Sequence, residues 1–463
     1  MNRMSSWSLF LGLSAAVLVC ALLLSGCAAG REREHARPDE AACFEPIVVP
    51  SAVARVPGPD RLLYASGRIW SLVEGVPTVR AVLSRDYRVS GRNWGSEPSI
   101  AAEQFLGRRL ALIGSGVDVV SDGSGNSRRD AYEEVVLVDP ADPLDREIVV
   151  RVAGRVELVH CFQTYDTGVE AIAVYWEPTD SAGSKPRLDL YARSGDRPWS
   201  QMWSSDEGVA GEPFVPAYRA FGFADALAGA PSALYVIGWH GRQTEVDTGD
   251  ARLSAVRISL EDGHPPLRVG DLEQERIEYL CRYTDAGRSR PAFVGFDSND
   301  GAGVIIIDGE TGALRVVDLG GLPLCVVGHE GGAVYGLARV QHPDDGGLRI
   351  VDLGSSEPQI IEGVVASWAG PVFSGEGEPD GVALAGFTVP EPGRRLWSAW
   401  TLSFDDSGAP KVVPLVKDWR THGKRGIAAV AGLFGEAGDA ECVILAIDEG
   451  YGEGGLAVVP VEQ

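Results

Sequence analysis

From about residue 60 to the C-terminus the sequence repeats one pattern every 40 to 65 residues or so: two short apolar runs separated by a polar turn. The paired runs are Leu62–Tyr64 with Ile69–Leu72, Leu110–Ile113 with Val135–Val138, Ala171–Val174 with Leu188–Tyr191, and Leu234–Ile237 with Ser254–Ile258. They continue with Ala292–Val294 and Val304–Ile307, Ala333–Tyr335 and Leu348–Val351, Val382–Ala385 and Ser398–Leu402, and Val443–Leu445 and Leu456–Val459. Each run is three to five residues long and rich in β-branched and aromatic side chains, so each reads as a strand and each pair as a hairpin.

Ahead of most pairs lies a further apolar run that ends near an aromatic, an acid and a glycine, as in Tyr165-Asp166-Thr167-Gly168, Tyr283-Thr284-Asp285-Ala286-Gly287 and Phe373-Ser374-Gly375-Glu376-Gly377. Such residues favour tight turns. Behind the pairs a second turn recurs, clearest at Asp308-Gly309-Glu310-Thr311-Gly312 and Asp405-Asp406-Ser407-Gly408. Four antiparallel strands per unit, repeated along the chain, predict an all-β protein: a β-propeller with each blade packed against its neighbours on both faces. Burial on both faces explains why the runs do not alternate cleanly between apolar and polar residues. The 58 Gly and 28 Pro fit the number of turns required. The count is eight blades, or seven if the compressed unit at residues 52–83 is not a blade of its own. A β-sandwich array is the competing architecture. The last unit stops at its third strand, and Glu45–Val49 is expected to supply the missing outer strand, closing the ring within one domain spanning 44–463. The Asp308–Gly312 turn resembles the blade turns of quinoprotein-like propellers, although the tryptophan-docking signature of that family is absent.

The N-terminus carries a separate signal. Arg3 precedes an apolar run from Leu9 to Leu24, which is the layout of an export signal and somewhat short for a membrane-spanning helix. It ends in Leu24-Ser25-Gly26-Cys27, which resembles the lipobox of bacterial lipoproteins. The resemblance implies that residues 1–26 are cleaved and that Cys27 receives a diacylglyceryl group and an amide-linked acyl chain such as palmitate. Two or three chains anchor stably to a membrane where one does not. Residues 27–43 then form a flexible polar tether. The implied location is extracytoplasmic, at the cell membrane or the outer membrane.

A formal charge of -24 argues against nucleic-acid partners. Once Cys20 leaves with the signal and Cys27 is lipidated, Cys43, Cys161, Cys281, Cys325 and Cys442 remain. Their number is odd and none forms a CxxC, so buried thiols are expected over a full set of bridges. No Ser sits in a G-x-S-x-G elbow, and His329-Glu330 has no second His four residues on. Gly450–Gly455 matches G-x-G-x-x-G but lies between two strands, where a hairpin turn is expected.

One loop has oxygen ligands at calcium-loop spacing: Asp122, Ser124, Asn126, Asp130 and Glu133. Ser127 stands where that motif needs Gly, and two Arg lie within the loop. No cofactor is required, and calcium is the one metal this loop suits. Asp297–Gly301 is a shorter fragment resembling the calcium turns of integrin-type propellers, with one residue lacking. Glu157, His160, Glu278 and Arg282 fall on first-strand positions, where they would line a central channel. The expectation is therefore a binding or scaffold module for an envelope protein or extracellular ligand. The alternative is a glycan lyase or hydrolase with its site in the channel. Exposed Trp94, Trp199 or Trp203 would mark a docking face.

Overall fold

The computed structural model describes residues 44–46, 61–65, 68–73, 76–84, 86–89, 103–107, 109–121, 127–139, 142–179, 185–226, 231–241, 252–261, 264–299, 301–308, 312–329, 332–340, 347–355, 358–370, 372–374, 381–391, 394–405, 407–421, 426–434, 440–448 and 454–460, with side-chain surroundings inside 84–417. Cys27 and its flanking segments, Asp122, Ser124, Asn126 and Trp94 lie outside the described residues. Among those described, nearly all are strand, and the helical content is a single 3-10 turn at Ser205–Glu207. No helix among them is long and apolar enough to cross a membrane.

The chain divides into two compact units. In the unit formed by Met1–Ala41 and Gly116–Asp130, the described residues are the ends of two long strands, Arg109–Ser121 and Ser127–Asp139. The other unit, Ala42–Ser115 with Ala131–Gln463, holds the remaining strands.

The chain is a β-propeller, and its strand order shows why. The third sheet runs Gly154–Gln163, Val169–Pro178, Arg187–Ser194, Ser200–Ser204, each strand antiparallel to the one before. The sheets at 214–271, 276–318 and 322–362 repeat this meander in chain order. All eight hairpins read from the sequence are adjacent strands in these and the flanking sheets. Successive sheets stack face to face. Ala171, Ala173 and Tyr175 pack with Phe214, Phe221, Leu234 and Val256 of the next sheet, while Ile172, Val174 and Trp176 pack with Ala111, Ile113, Val135 and Leu137 of the preceding one. The two-residue period of a strand thus divides one apolar run between two buried faces. The same shared cores join the fourth sheet to the fifth, the fifth to the sixth and the sixth to the seventh. Burial ends at the outer strands Leu267–Asp271, Leu314–Asp318 and Pro358–Glu362, which are largely exposed.

From the third sheet on, the inner strand of each sheet lies beside the inner strand of the next. This places Gly154–Gln163, Phe214–Ala224, Arg276–Asp285, Leu322–Gly328, Trp368–Gly370 and Gly426–Phe434 in succession on the inner side. Five of these inner strands carry a register shift, between Val156 and Leu158, Pro216 and Phe221, Tyr279 and Cys281, Pro323 and Cys325, and Ile427 and Ala429. Bulges sharpen twist and re-aim side chains, so the inner wall is irregular at a comparable level in successive sheets.

The ring closure departs from the expectation. Phe44–Pro46 pairs with Val76–Leu83 of the first sheet, Phe44 opposite Leu83, and does not supply an outer strand to the last. Joining the strand that is nearer in sequence closes a shorter loop, at lower entropic cost. The last sheet takes its fourth strand from Val372–Ser374, which runs parallel to Gly426–Phe434, while Trp368–Gly370 stays with the seventh sheet. The segment read as one strand is therefore divided between two sheets, Trp368–Gly370 in one and Val372–Ser374 in the other, and the sequence between them is a proline, which has no amide hydrogen for a ladder. The outer strand Gly454–Pro460 of the last sheet neighbours Val76–Leu83 of the first.

Candidate functional site

The inner strands of the fifth to seventh sheets, with Glu103, enclose a cavity of about 380 Å³. Its apolar wall comes from Leu280, Leu324, Val326, Val327 and Val382, and its polar wall from Glu103, Tyr279 and Arg282. Glu103 reaches the cavity because residues 103–106 run along the free edge of the third sheet. The Glu103 carbonyl accepts from Cys161 N at 2.7 Å, and Gln104 Nε2 donates to the Val159 carbonyl at 3.3 Å. Phe105–Leu106 pairs with Arg109–Leu110 beside it. From there the Glu103 carboxylate meets the Arg282 guanidinium of the fifth sheet at 3.7 Å.

Tyr279 donates its hydroxyl to Glu103, and its ring stands edge-on to His160 with centroids 4.7 Å apart. His160 also contacts the Phe221 ring at 4.8 Å. An aromatic cluster from three successive sheets thus backs the polar wall. Burial within it lowers His160 to a pKa of about 4, with Arg282 and Arg219 acting in the same direction and Glu103 against them. The Tyr279 phenol is pushed well above its ordinary value by burial, reinforced by the Glu103 charge. Burial raises the Cys281 thiol to about 12, opposed by its hydrogen bond with the Val326 backbone, and pushes the Cys325 thiol well above its ordinary value. Val326 N donates to Cys281 Sγ at 3.2 Å. Cys161, Cys281 and Cys325 are free thiols.

The channel residues expected from the sequence separate in the structure. Arg282 lines the cavity, His160 is buried behind its Tyr279 wall at 4% exposure, and Glu157 is buried at 2% exposure and does not line it. Glu278 lies away from it, beside Arg276 at 3.5 Å with 45% of its side chain exposed. The residues missed from sequence are Glu103, Tyr279 and Arg219. Tyr279 carried one weak signal, as an aromatic on a first strand. Neither Glu103 nor Arg219 belongs to any motif.

Of the calcium-spacing residues, Asp130 and Glu133 lie in the strand Ser127–Asp139. Both Glu133 oxygens accept from Arg88, at 2.9 and 2.6 Å, and one also accepts from Val156 N at 2.6 Å. The Asp297 carboxylate is used within its own turn, accepting from Asn299 N and Gly301 N at 2.8 Å each. Among the described residues no three His, Cys, Asp or Glu side chains group as a metal site would need. Trp203 is buried in the shared core, and Trp199 donates to Glu147 at 3.1 Å beneath the Arg193 guanidinium, so neither forms an exposed docking platform.

No known family matches the sequence, and no curated protein does either. Solved structures similar to the chain include an oligogalacturonate lyase in complex with manganese (11% identity, TM-score 0.44, 88% of this chain and 97% of that one). Another is the Dos1 propeller, at 11% identity and a TM-score of 0.42, with 85% of this chain and 87% of that one aligned. A Mycobacterium tuberculosis puromycin-hydrolysing peptidase is similar at 15% identity and a TM-score of 0.39 over 77% of this chain, which spans 50% of the peptidase. At these scores the likeness says nothing about ligand or reaction.

Proposed function

We propose that the protein is a lipid-anchored, extracytoplasmic propeller that binds an envelope partner or extracellular ligand in the inner-strand cavity. The observation supporting binding over catalysis is the state of the groups in and behind the cavity wall. Burial drives the Tyr279 phenol, the His160 imidazole and the Cys281 and Cys325 thiols toward their neutral forms. An acid or base works best when its pKa lies near the operating pH, and a thiol attacks as the thiolate. These four groups sit far from that condition. What the cavity does present is an apolar surface with a hydrogen-bonding phenol and a Glu103–Arg282 ion pair, the composition typical of ligand pockets.

The resemblance of Leu24-Ser25-Gly26-Cys27 to a lipobox supports the anchoring half of the reading. Cys27→Ala is expected to abolish incorporation of labelled palmitate and to release the protein from membranes, and continued labelling would remove that half. The binding half is tested by gentle detergent extraction of the native envelope. A partner or ligand should be recovered with the wild type and lost with Arg282→Glu. Turnover of a polysaccharide library by the purified protein, abolished by the same substitution, would overturn it in favour of an enzyme.

A further inference from the structure

The inner strand Phe214–Ala224 breaks its pairing between Pro216 and Phe221. At this bulge Tyr218 and Arg219 turn outward, and both are exposed between the buried Ala217 and Ala220. Arg219 adopts φ 58°, a left-handed conformation that a long side chain rarely takes. Its guanidinium lies over the Tyr218 ring at 5.0 Å, and among the described residues it has no carboxylate partner. An exposed arginine held off the ladder by an uncommon backbone conformation is a common mark of a functional position.

Arg219 is not isolated from the cavity. Phe221, two residues on, touches His160, and His160 touches Tyr279, three residues before Arg282. Gly222 of the same strand lies directly against Tyr279 and Pro291, so the strands carrying the two arginines are in close contact. Both arginine charges are felt at His160, where Glu103 opposes them. Among the described residues, Arg219 and Arg282 thus bring two guanidinium charges to bear on this aromatic cluster against the one carboxylate of Glu103, in a chain whose formal charge is -24. A local excess of cation on so acidic a protein raises the concentration of anions at that point and repels them elsewhere.

We propose that Arg219 and Arg282 form the seat for an oxyanion carried by the ligand, a carboxylate or a phosphate group that draws Arg282 away from Glu103. The planar fork of a guanidinium matches either group in a bidentate pair. Tyr218 and Tyr279 supply hydroxyl and ring edges beside it. The proposal rests on the cavity being a binding site and names the chemistry of what enters it.

The experiment uses the full chain in detergent, titrated calorimetrically with citrate, inorganic phosphate and, as a neutral control, galactose. Citrate or phosphate should bind and galactose should not, and the better of the two anions identifies the group. Arg219→Gly suits the positive φ, so its melting temperature should hold while anion affinity falls at least tenfold. Arg219→Gly with Arg282→Gln should abolish binding. Absence of anion binding, or binding unchanged in Arg219→Gly, would overturn the proposal. If Arg282-dependent recovery of an envelope partner persists in that case, the binding reading stands without the oxyanion. If recovery fails as well, both fall.

Discussion

His160 illustrates how a single residue in the inner wall couples protonation to stability. Its pKa is near 4 in the folded chain and 6.5 when solvated. The unfolded chain therefore binds the extra proton first as pH falls. The stability of the neutral, buried imidazole is complete above about pH 6.5 and is lost as pH drops toward 4. A shift of that size corresponds to on the order of 3 kcal/mol. Urea unfolding at pH 7 and pH 4.5 should show this loss in the wild type and a smaller one in His160→Gln. An equal loss in both would assign the acid sensitivity to other groups. At the same scale Arg282 was legible as a polar residue on a first strand, but Glu103 was not. Nothing in the local sequence announces that a short segment ahead of a strand will lie along another sheet's edge and present a carboxylate to the fifth blade.

Close approach of neighbouring elements sets a different constraint. A Cβ on Gly328 would strike the Thr284 carbonyl of the adjacent inner strand, which is backbone and has little room to yield. Gly328→Ala should therefore destabilise the fold by about 2 kcal/mol or more, as overpacking in a rigid site does. The denaturation midpoint measures that loss, and a neutral result would mean that the two strands can separate. The bulges in the inner strands belong to this scale too. The strand runs themselves were visible as β-branched and aromatic stretches, whereas the extra residue at Leu280 or Leu324 was not, because a bulge depends on which residue the neighbouring strand places opposite. The division between Gly370 and Val372 likewise follows from competition between two sheets for one segment.

Across the whole molecule, contacts between sheets carry the stability, and one of them is ionic. Arg109 of the second sheet contacts Glu147 at 2.9 Å and Glu170 at 2.6 Å, and Arg193 of the third contacts Glu170 at 2.6 Å and also pairs with Glu147. Each charge in this partly buried ring has two partners, so losing one member leaves the others under-compensated. Glu170→Gln should cost about 1 to 3 kcal/mol, reduced at high salt, and should couple non-additively with Arg193→Gln in a double-mutant cycle. Simple additivity of the two would show the ring to be a set of independent surface pairs. By itself the sequence determined the strands, their hairpins and the four-strand unit, because the spacing of apolar runs and turn residues acts over a few positions. It also determined the lipid-anchor expectation, which resides in four consecutive residues. Only the tertiary structure decided which strand joins which sheet at the two chain ends, and which polar side chains meet in the cavity. Those outcomes depend on groups far apart in the chain being brought together by shared cores, and no local pattern encodes such a meeting.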